Sequence, residues 1–171
     1  MAAHPTPPQT TVLAYLSLGS NVGDREGNLA TALANLHLAG ALRAVSSIYE
    51  TQPVAVKEQP WFLNCVAILE TDQAPRELLR TLLEIEASMG RIRRERRGPR
   101  KIDIDIVLYG DRTVAEPGLT IPHPEMHERR FVLEPLAEIA PEARHPILNK
   151  SAQELLAALG EKPIVRRLNS R

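Results

Sequence analysis

Residues 100–110 read RKIDIDIVLYG, a stretch in which apolar and acidic side chains alternate. Ile102, Ile104 and Ile106 alternate with Asp103 and Asp105, and this period of two is typical of a β-strand. Side chains two residues apart share one face of a strand. The pattern therefore predicts a strand that presents both carboxylates on the same face.

The aspartate pair has two interpretations: the solvated face of a half-buried strand, or a cation site. Aspartate is depleted in strands, and the stretch continues as Ile106-Val107-Leu108-Tyr109, which is apolar on both faces. The aspartate face therefore becomes a buried face within one step, and two like charges at that point need a cation. Because no Cys or His cluster accompanies the carboxylates, Mg²⁺ is favoured over zinc.

A basic segment, residues 91–101 (RIRRERRGPRK), runs straight into the aspartates, and seven of its eleven residues are basic. A solvated loop is the ordinary interpretation of such a charge run, and it stays open. Arginines beside two carboxylates and a cation also form a seat for a polyphosphate, because the guanidinium offers forked donors to phosphate oxygens. The chain has neither a GxxxxGK[ST] nor a GxGxxG pattern, which argues against a P-loop enzyme or a protein kinase.

Composition limits the class of protein further. The chain has 171 residues, of which 43% are hydrophobic, and a formal net charge of zero. These values suit one compact domain with no overall field that favours nucleic acid or an anionic membrane. The single cysteine, Cys65, is expected to be a small core residue and fits a reducing cytoplasm. No apolar run approaches the roughly 20 residues that span a bilayer.

The first residues, MAAHPTPPQTT, have three prolines among the first eight and neither a charged nor an apolar region of a secretory signal. We therefore expect a disordered tail over residues 1–11 and a single domain over residues 12–171.

Hydrophobic periodicity and turn residues predict the elements of this domain. Strands are expected over residues 12–18, 44–49, 62–70 and the aspartate stretch, which residues 119–124 follow. Helices are expected over residues 25–38, 75–89 and 151–160, the last opened by a capping box of Ser151 and Glu154. The order β-α-β-β-α-β predicts a ferredoxin-like α+β fold, a mostly antiparallel sheet with helices packed on one face.

Three short stretches contain further candidate residues, each with an ordinary structural alternative. Gly19-Ser20-Asn21 follows a strand and is a weak signal for a phosphate loop, or else a plain turn. Pro122-His123-Pro124 is either an ordinary surface turn or a functional one. His123 and His127 are four residues apart, a spacing that could hold a metal on a helix, but Pro124 between them argues against that helix. Phe62 and Asn64 are suited to stack on a flat heterocycle and hydrogen-bond its edge, although a core role explains that stretch taken alone.

Taken together, these stretches closely resemble the 6-hydroxymethyl-7,8-dihydropterin pyrophosphokinase family of folate biosynthesis. The resemblance covers about residues 15–145 and rests on YLSLGSN (15–21), SSIYETQPV (46–54), QPWFLN (59–64), GRIRRERRGPRKIDIDIVLYG (90–110) and IPHPEMHERRFVLEPLAEIAP (121–141). It implies a ferredoxin-like single domain. It also implies a reaction in which ATP gives its β,γ-diphosphoryl group to the hydroxymethyl oxygen of the pterin and AMP leaves.

The resemblance implies roles for individual residues as well. Asp103 and Asp105 would hold two Mg²⁺ ions along the ATP triphosphate. Contacts to the ATP phosphates or nucleotide are implied for Arg91, Arg93, Arg100, His123 and Arg129. Stacking on the pterin ring or binding of its polar edge is implied for Thr51, Gln52, Pro53, Val54, Phe62, Asn64 and Phe131. Glu86 matches an acidic position near the ribose or the pocket wall.

Two departures from the family pattern affect these expectations. Arg97 stands where a Trp is familiar in the loop before the GPR block, and that loop is one residue shorter. The question of which loop side chain seals the closed site therefore stays open. Phe62 replaces a frequent Tyr, which preserves stacking but removes the hydroxyl.

We expect a cytoplasmic monomer that acts on small molecules, with no nucleic-acid or membrane partner.

Two other classes of protein remain as alternatives. A metal-dependent phosphohydrolase or nucleotidyl transferase would use the same carboxylate pair but would not need Phe62, Asn64 and Phe131. A ferredoxin-like RNA-binding module would use the basic loop, but such modules usually carry aromatic side chains on their central strands, which are largely missing here.

Overall fold

The computed structural model describes residues 10–53, 58–90, 99–161 and 163–168. The strands are β1 (Val12–Ser20), β2 (Ala41–Val45), β3 (Tyr49–Thr51), β4 (Phe62–Thr71), β5 (Asp103–Tyr109), β6 (Val114–Glu116), β7 (Leu119–Ile121), β8 (Arg144–His145), β9 (Lys150–Ser151) and β10 (Val165–Arg167). The helices are α1 (Arg25–Asn35), α2 (Pro75–Ser88), α3 (Arg130–Ile139) and α4 (Ala152–Ala157). Residues 1–9 lie outside the described residues, so the disordered tail and the domain boundary stay predictions.

An antiparallel sheet in the order β10-β3-β4-β1-β5 forms the centre of the fold, and β2 also pairs with β4. The sequence pattern predicted one strand over residues 44–49, which is wrong, because β2 and β3 pair with successive parts of the same edge of β4. Ser46 separates them. Its hydroxyl donates to the Ser47 carbonyl at 2.8 Å and accepts from the Val66 amide at 2.9 Å. The Ser46 amide still donates to the Val66 carbonyl at 2.9 Å, so the hydroxyl replaces only the backbone acceptor at the break.

Helices cover both faces of the sheet. One face of β1, with Leu16 and Leu18 fully buried, packs with α1 and α2 in the larger apolar core. The opposite face, with Val66 and Leu108, packs with α3 and α4 in a second core. The expected single helical layer therefore describes α1 and α2 only, and the α+β class with an antiparallel sheet is confirmed. No helix in the described part of the chain has the length and apolar character needed to cross a bilayer.

Helix α3 was not predicted from the sequence. Pro135 lies inside it, and a proline in a periodic stretch ordinarily marks a helix end. The helix persists because Val132, Leu133 and Leu136 are buried against the sheet, so tertiary packing offsets the missing backbone hydrogen bond. In contrast, the capping box at α4 is confirmed: the Ser151 hydroxyl accepts from the Glu154 amide at 3.1 Å.

The thiol of Cys65 is fully buried in the larger core, and burial raises its pKa to about 12. Because the thiolate is the reactive form, we expect a native thiol that a water-soluble alkylating reagent does not modify at mildly alkaline pH. Mass spectrometry after iodoacetamide treatment checks this, with the urea-unfolded protein as the control that should be fully modified. Equal modification of the native and unfolded protein would contradict the burial.

Candidate active site

A cavity of about 330 Å³ opens where β1, β4 and β5 present small and polar side chains. Six residues implied to bind the pterin line it, namely Thr51, Gln52, Pro53, Phe62, Asn64 and Phe131. Four residues implied to act on ATP or metal line the same cavity, namely Arg100, Asp103, Asp105 and Arg129. Residues that are distant in sequence are thus brought to one site. Val54, Arg91 and Arg93 lie outside the described residues, and their predicted roles stay predictions.

The register of the central strands explains why the two groups meet. Asn64 of β4 is opposite Gly19 of β1, and Gly19 is in turn opposite Asp103 of β5. Asp105 is opposite Ser17. Neighbouring strands are about 4.8 Å apart, so two spacings, roughly 10 Å, separate the backbone of Asn64 from that of Asp103. Small residues on β1 keep the space between them open.

The carboxylate of Asp105 has a strongly shifted pKa. Burial, followed by the charges of Asp103 and Glu86, raises the pKa of Asp105 to about 7, while Arg129 and Arg100 oppose the rise. Arg100 donates from Nη1 to Asp103 Oδ2 at 2.8 Å. Even with both guanidinium groups nearby, the pKa of Asp105 stays raised, so the negative charge of the site exceeds the positive charge that offsets it.

These residues fit a hard divalent cation. Within the part of the chain that the structure describes, no cluster of three or more Cys, His, Asp or Glu side chains is arranged to hold a metal. Mg²⁺ is commonly held by one or two carboxylates together with waters and substrate phosphates, which matches Asp103 and Asp105. Arg100 Nε is buried without a hydrogen-bond partner, which suits a further anionic ligand beside the pair.

Glu86 is not among the residues that line the cavity, but it supports the backbone between the two aspartates. Its side chain is buried in α2, and its Oε2 accepts from the Ile104 amide at 2.8 Å. Ile104 lies between Asp103 and Asp105 in β5. The contact therefore fixes the backbone between the two carboxylates, behind the cavity wall, and the expected position near the ribose or pocket wall stays a prediction.

Arg129 lies between the two sides of the cavity. It pairs with the Glu125 carboxylate, and its guanidinium carbon is 5.4 Å from the centre of the Phe131 ring. His123 is not among the residues that line the cavity. Its Nδ1 accepts from the Glu125 amide at 3.2 Å, and burial followed by the charge of Arg129 lowers its pKa. A neutral His123 thus helps to shape the loop that carries Glu125.

The alternative metal pair of His123 and His127 is not supported. The His127 ring instead makes an edge contact with His145, at 6.2 Å between ring centres and 87° between planes. His145 is in turn buried, with its Nδ1 accepting from the amides of Ile147 and Leu148.

Sequence reasoning missed several residues that line or support the cavity. Gln59, Glu125 and Glu128 line it with no sequence pattern that marks them. Asn21, noted only as part of a weak phosphate loop, is buried and joins three segments instead. Its Oδ1 accepts from the Arg100 amide at 2.7 Å, and its Nδ2 donates to Gln59 Oε1 at 2.9 Å and to the Pro60 carbonyl at 3.1 Å.

Gly19 provides the space for the Asn64 side chain. Asn64 Nδ2 donates to the Thr51 hydroxyl at 2.6 Å, which aims the amide into the cavity. A Cβ on Gly19 would lie 2.6 Å from Asn64 Oδ1 and 3.6 Å from the nearest atom of the Phe62 ring. Any larger residue here would displace the amide.

We expect Gly19→Ala to raise the KM for a flat heterocyclic substrate about tenfold, because losing one aimed hydrogen-bonding group costs about 1.4 kcal/mol. The KM for ATP should stay unchanged. Steady-state kinetics with each substrate varied in turn measures both values. Gly160→Ala is the matched control, since no atom lies within 4 Å of the added methyl group. An unaltered KM for the heterocycle in Gly19→Ala would show that the Asn64 amide is not needed.

Comparisons with known proteins agree with the geometry. Residues 15–141 match the family model described as 7,8-dihydro-6-hydroxymethylpterin-pyrophosphokinase (HPPK). The chain is 43% identical over 155 residues to a 2-amino-4-hydroxy-6-hydroxymethyldihydropteridine pyrophosphokinase of Methylorubrum extorquens, covering 90% of this chain and 97% of that protein. It is 48% identical over 129 residues to the Bacillus subtilis protein of the same name, covering 74% and 77%.

Longer proteins contain a similar segment. The chain is 46% identical over 154 residues to the folic acid synthesis protein fol1 of Schizosaccharomyces pombe. The matched segment covers 89% of this chain but only 21% of that protein. A crystal structure of Plasmodium falciparum HPPK-DHPS has a TM-score of 0.72 at 19% identity, covering 89% of this chain and 44% of that one. This last likeness concerns the fold alone.

Proposed function

The chain belongs to the 7,8-dihydro-6-hydroxymethylpterin-pyrophosphokinase family, whose members are diphosphotransferases, and on that premise we propose that it makes the pterin diphosphate ester of folate biosynthesis. ATP is the donor, 6-hydroxymethyl-7,8-dihydropterin is the acceptor, and AMP is the second product. The bond between the hydroxymethyl oxygen and the β-phosphorus forms as the bond from that phosphorus to the oxygen of the leaving AMP breaks.

One observation carries the proposal: a set suited to a flat heterocycle and a set suited to a polyphosphate line the same cavity. The aromatic rings of Phe62 and Phe131 are suited to stack on a pterin, and the Asn64 amide is suited to its polar edge. A phosphohydrolase would require the carboxylates without these three side chains. An RNA-binding module would not need a half-buried carboxylate pair.

The residues of the chain act by position and charge. Arg100 and Arg129 would neutralise the charge of the phosphates, and the stacked pterin would place its hydroxymethyl oxygen in line with the bond that breaks. Asp103 and Asp105 would hold two Mg²⁺ ions, which would supply charge neutralisation for the phosphates. We assign no general base.

The proposal includes a single-domain, cytoplasmic monomer that acts on small molecules without a nucleic-acid or membrane partner. The buried thiol of the single cysteine, Cys65, supports a reducing compartment. Sedimentation of the purified protein at several concentrations would test the monomer directly.

The deciding experiment follows AMP formation by purified protein with ATP, Mg²⁺ and 6-hydroxymethyl-7,8-dihydropterin, with and without the pterin. AMP release that depends on the pterin is expected. Formation of ADP, or hydrolysis indifferent to the pterin, would overturn the proposal in favour of another phosphotransferase or phosphohydrolase. Absence of both products would leave binding without catalysis and would also reject it.

A further inference from the structure

The C-terminal strand β10 contacts the site although the family match ends at residue 141. It pairs antiparallel with β3, so that Val165 is opposite Thr51 and Arg166 is opposite Glu50. Thr51 lines the cavity, and Pro163, just before β10, lines it as well. Pro163 and the pairing of Val165 with Thr51 therefore place the start of this C-terminal segment at the heterocycle side of the site.

Backbone contacts join this strand to the segment that follows Thr51. The Gln52 amide donates to the Ile164 carbonyl at 3.0 Å, and the Ile164 amide makes a longer contact of 3.5 Å to Gln52 Oε1. Gln52 and Pro53 both line the cavity. The C-terminal segment thus fixes the course of the chain along this wall.

A side-chain network extends the same contact to the start of β4. Glu50 lies between two guanidinium groups, with Arg166 Nε 3.2 Å from its Oε1 and Arg25 Nη2 3.3 Å from its Oε2. Arg25 Nη1 also donates to the Trp61 carbonyl at 2.8 Å. The guanidinium carbon of Arg166 lies 5.1 Å from the centre of the Trp61 ring. Arg166 therefore contacts β3 and the residue directly before Phe62.

The network is suited to positioning more than to stability. The Arg166 side chain is 66% exposed and that of Glu50 16%, and exposed ion pairs contribute little to folding. The Arg166 hydrogen bond is the main cause that holds the pKa of Glu50 below its ordinary value. The two oxygens of Glu50 link β10 to the start of α1, and the same four side chains, Arg25, Glu50, Trp61 and Arg166, line a second, neighbouring cavity rather than the candidate active site itself.

We propose that Arg166 is a positioning residue for the pterin, acting through Glu50 and Trp61, and that the C-terminal strand completes the pterin side of the site. The inference rests on the proposed function. Arg166 touches no reacting group, so its effect belongs to the binding of one substrate and leaves the chemical step alone.

The test is steady-state kinetics of Arg166→Ala with each substrate varied. The KM for the pterin should rise threefold to tenfold, while kcat and the KM for ATP stay at their wild-type values. Arg166→Lys should recover part of the loss, because it keeps a charge beside Glu50 without the forked donors. Arg76→Ala is the matched control, an exposed arginine paired with Glu116 at 2.9 Å, and should change nothing.

Fluorescence gives a second readout that is independent of turnover. Trp61 is the only tryptophan in the chain, so its emission reports directly on the contact with Arg166. Arg166→Ala should shift the emission of the ligand-free protein, whereas Arg76→Ala should not. The pterin concentration that half-saturates the quenching of Trp61 should rise in parallel with the KM.

Three outcomes would count against the inference. A wild-type KM and wild-type emission in Arg166→Ala would overturn it. Equal losses for both substrates, together with a lower unfolding midpoint, would replace it with a general structural role. If wild-type protein itself shows no pterin-dependent AMP release, the proposed function fails first and the inference fails with it, which the wild-type assay alone reveals.

Discussion

Replacing Asp105 by asparagine is expected to slow AMP release roughly a thousandfold or more, without lowering the stability of the protein. A loss of that size corresponds to about 4 kcal/mol of transition-state stabilisation, the upper range for removal of one charged or polar contact to a reacting group. Folding stability should increase rather than decrease, because asparagine has nearly the same shape as aspartate but carries no charge that its neighbours repel. Its carboxylate is disfavoured by burial and by the charges of Asp103 and Glu86.

The pH dependence of stability follows from the direction of this shift. The pKa of Asp105 in the folded protein, about 7, lies above the ordinary value of an aspartate. The native state therefore favours the protonated form, and the associated stability is present at low pH and lost as the pH rises through about 7. In metal-free protein, Asp105→Asn should gain stability relative to wild type between about pH 5 and about pH 8.

Urea unfolding in EDTA at both pH values measures this difference, and added Mg²⁺ should raise the midpoint of wild type but not of Asp105→Asn. Asp111→Asn is the control, because Asp111 is an exposed aspartate just beyond the same strand. Normal turnover in Asp105→Asn would remove the metal hypothesis. A lower stability than wild type at the higher pH would show that the carboxylate is satisfied without a cation.

The sequence was most informative where local pattern and tertiary role coincide. The alternation around Asp103 and Asp105 predicted both the strand and its charged face, because period two and burial act on the same residues. The capping box at Ser151 and Pro75 at the first turn of α2 were equally readable, since both satisfy local backbone needs. Such features need no knowledge of distant contacts.

Features that depend on distant contacts were not predictable. Helix α3 survives Pro135 because of its buried face, which the local sequence does not reveal. Asn21 joins loops that are 38 and 79 positions away in the chain. Gly19 matters because β1 separates Asn64 from Asp103, and only the register of three strands discloses that. The resemblance to a family supplied the roles, whereas the register explains why those residues meet.

Replacing Arg100 by alanine is expected to lower kcat/KM for ATP by about 10²–10³-fold, equivalent to roughly 3–4 kcal/mol. Arg100 is partly buried, with its side chain 20% exposed and Nη1 bonded to Asp103 Oδ2 at 2.8 Å. Its Nε is buried and has no partner, so a donor is held ready for an anion. A guanidinium that is already ordered and partly desolvated loses little entropy when it binds a phosphate.

The substitution should affect one substrate selectively. The charge of Arg100 lowers the pKa of Asp105. Removal of Arg100 therefore disfavours the ionised form of Asp105 and also removes the phosphate contact. The segment itself should keep its place, because Asn21 binds the backbone of residue 100 through both its amide and its carbonyl. We therefore expect the dissociation constant of the pterin to stay within about twofold of wild type.

Titration calorimetry for each ligand and steady-state kinetics separate these effects. Arg100→Lys should fall between wild type and Arg100→Ala, because an ammonium keeps the charge but lacks the forked donors that a phosphate oxygen pair accepts. The exposed Arg76→Ala again serves as the control for removal of an arginine. Unchanged kinetics with ATP in Arg100→Ala would transfer the phosphate contact to other arginines of the basic segment, whereas an equal loss for both ligands would indicate that the residue shapes the whole cavity.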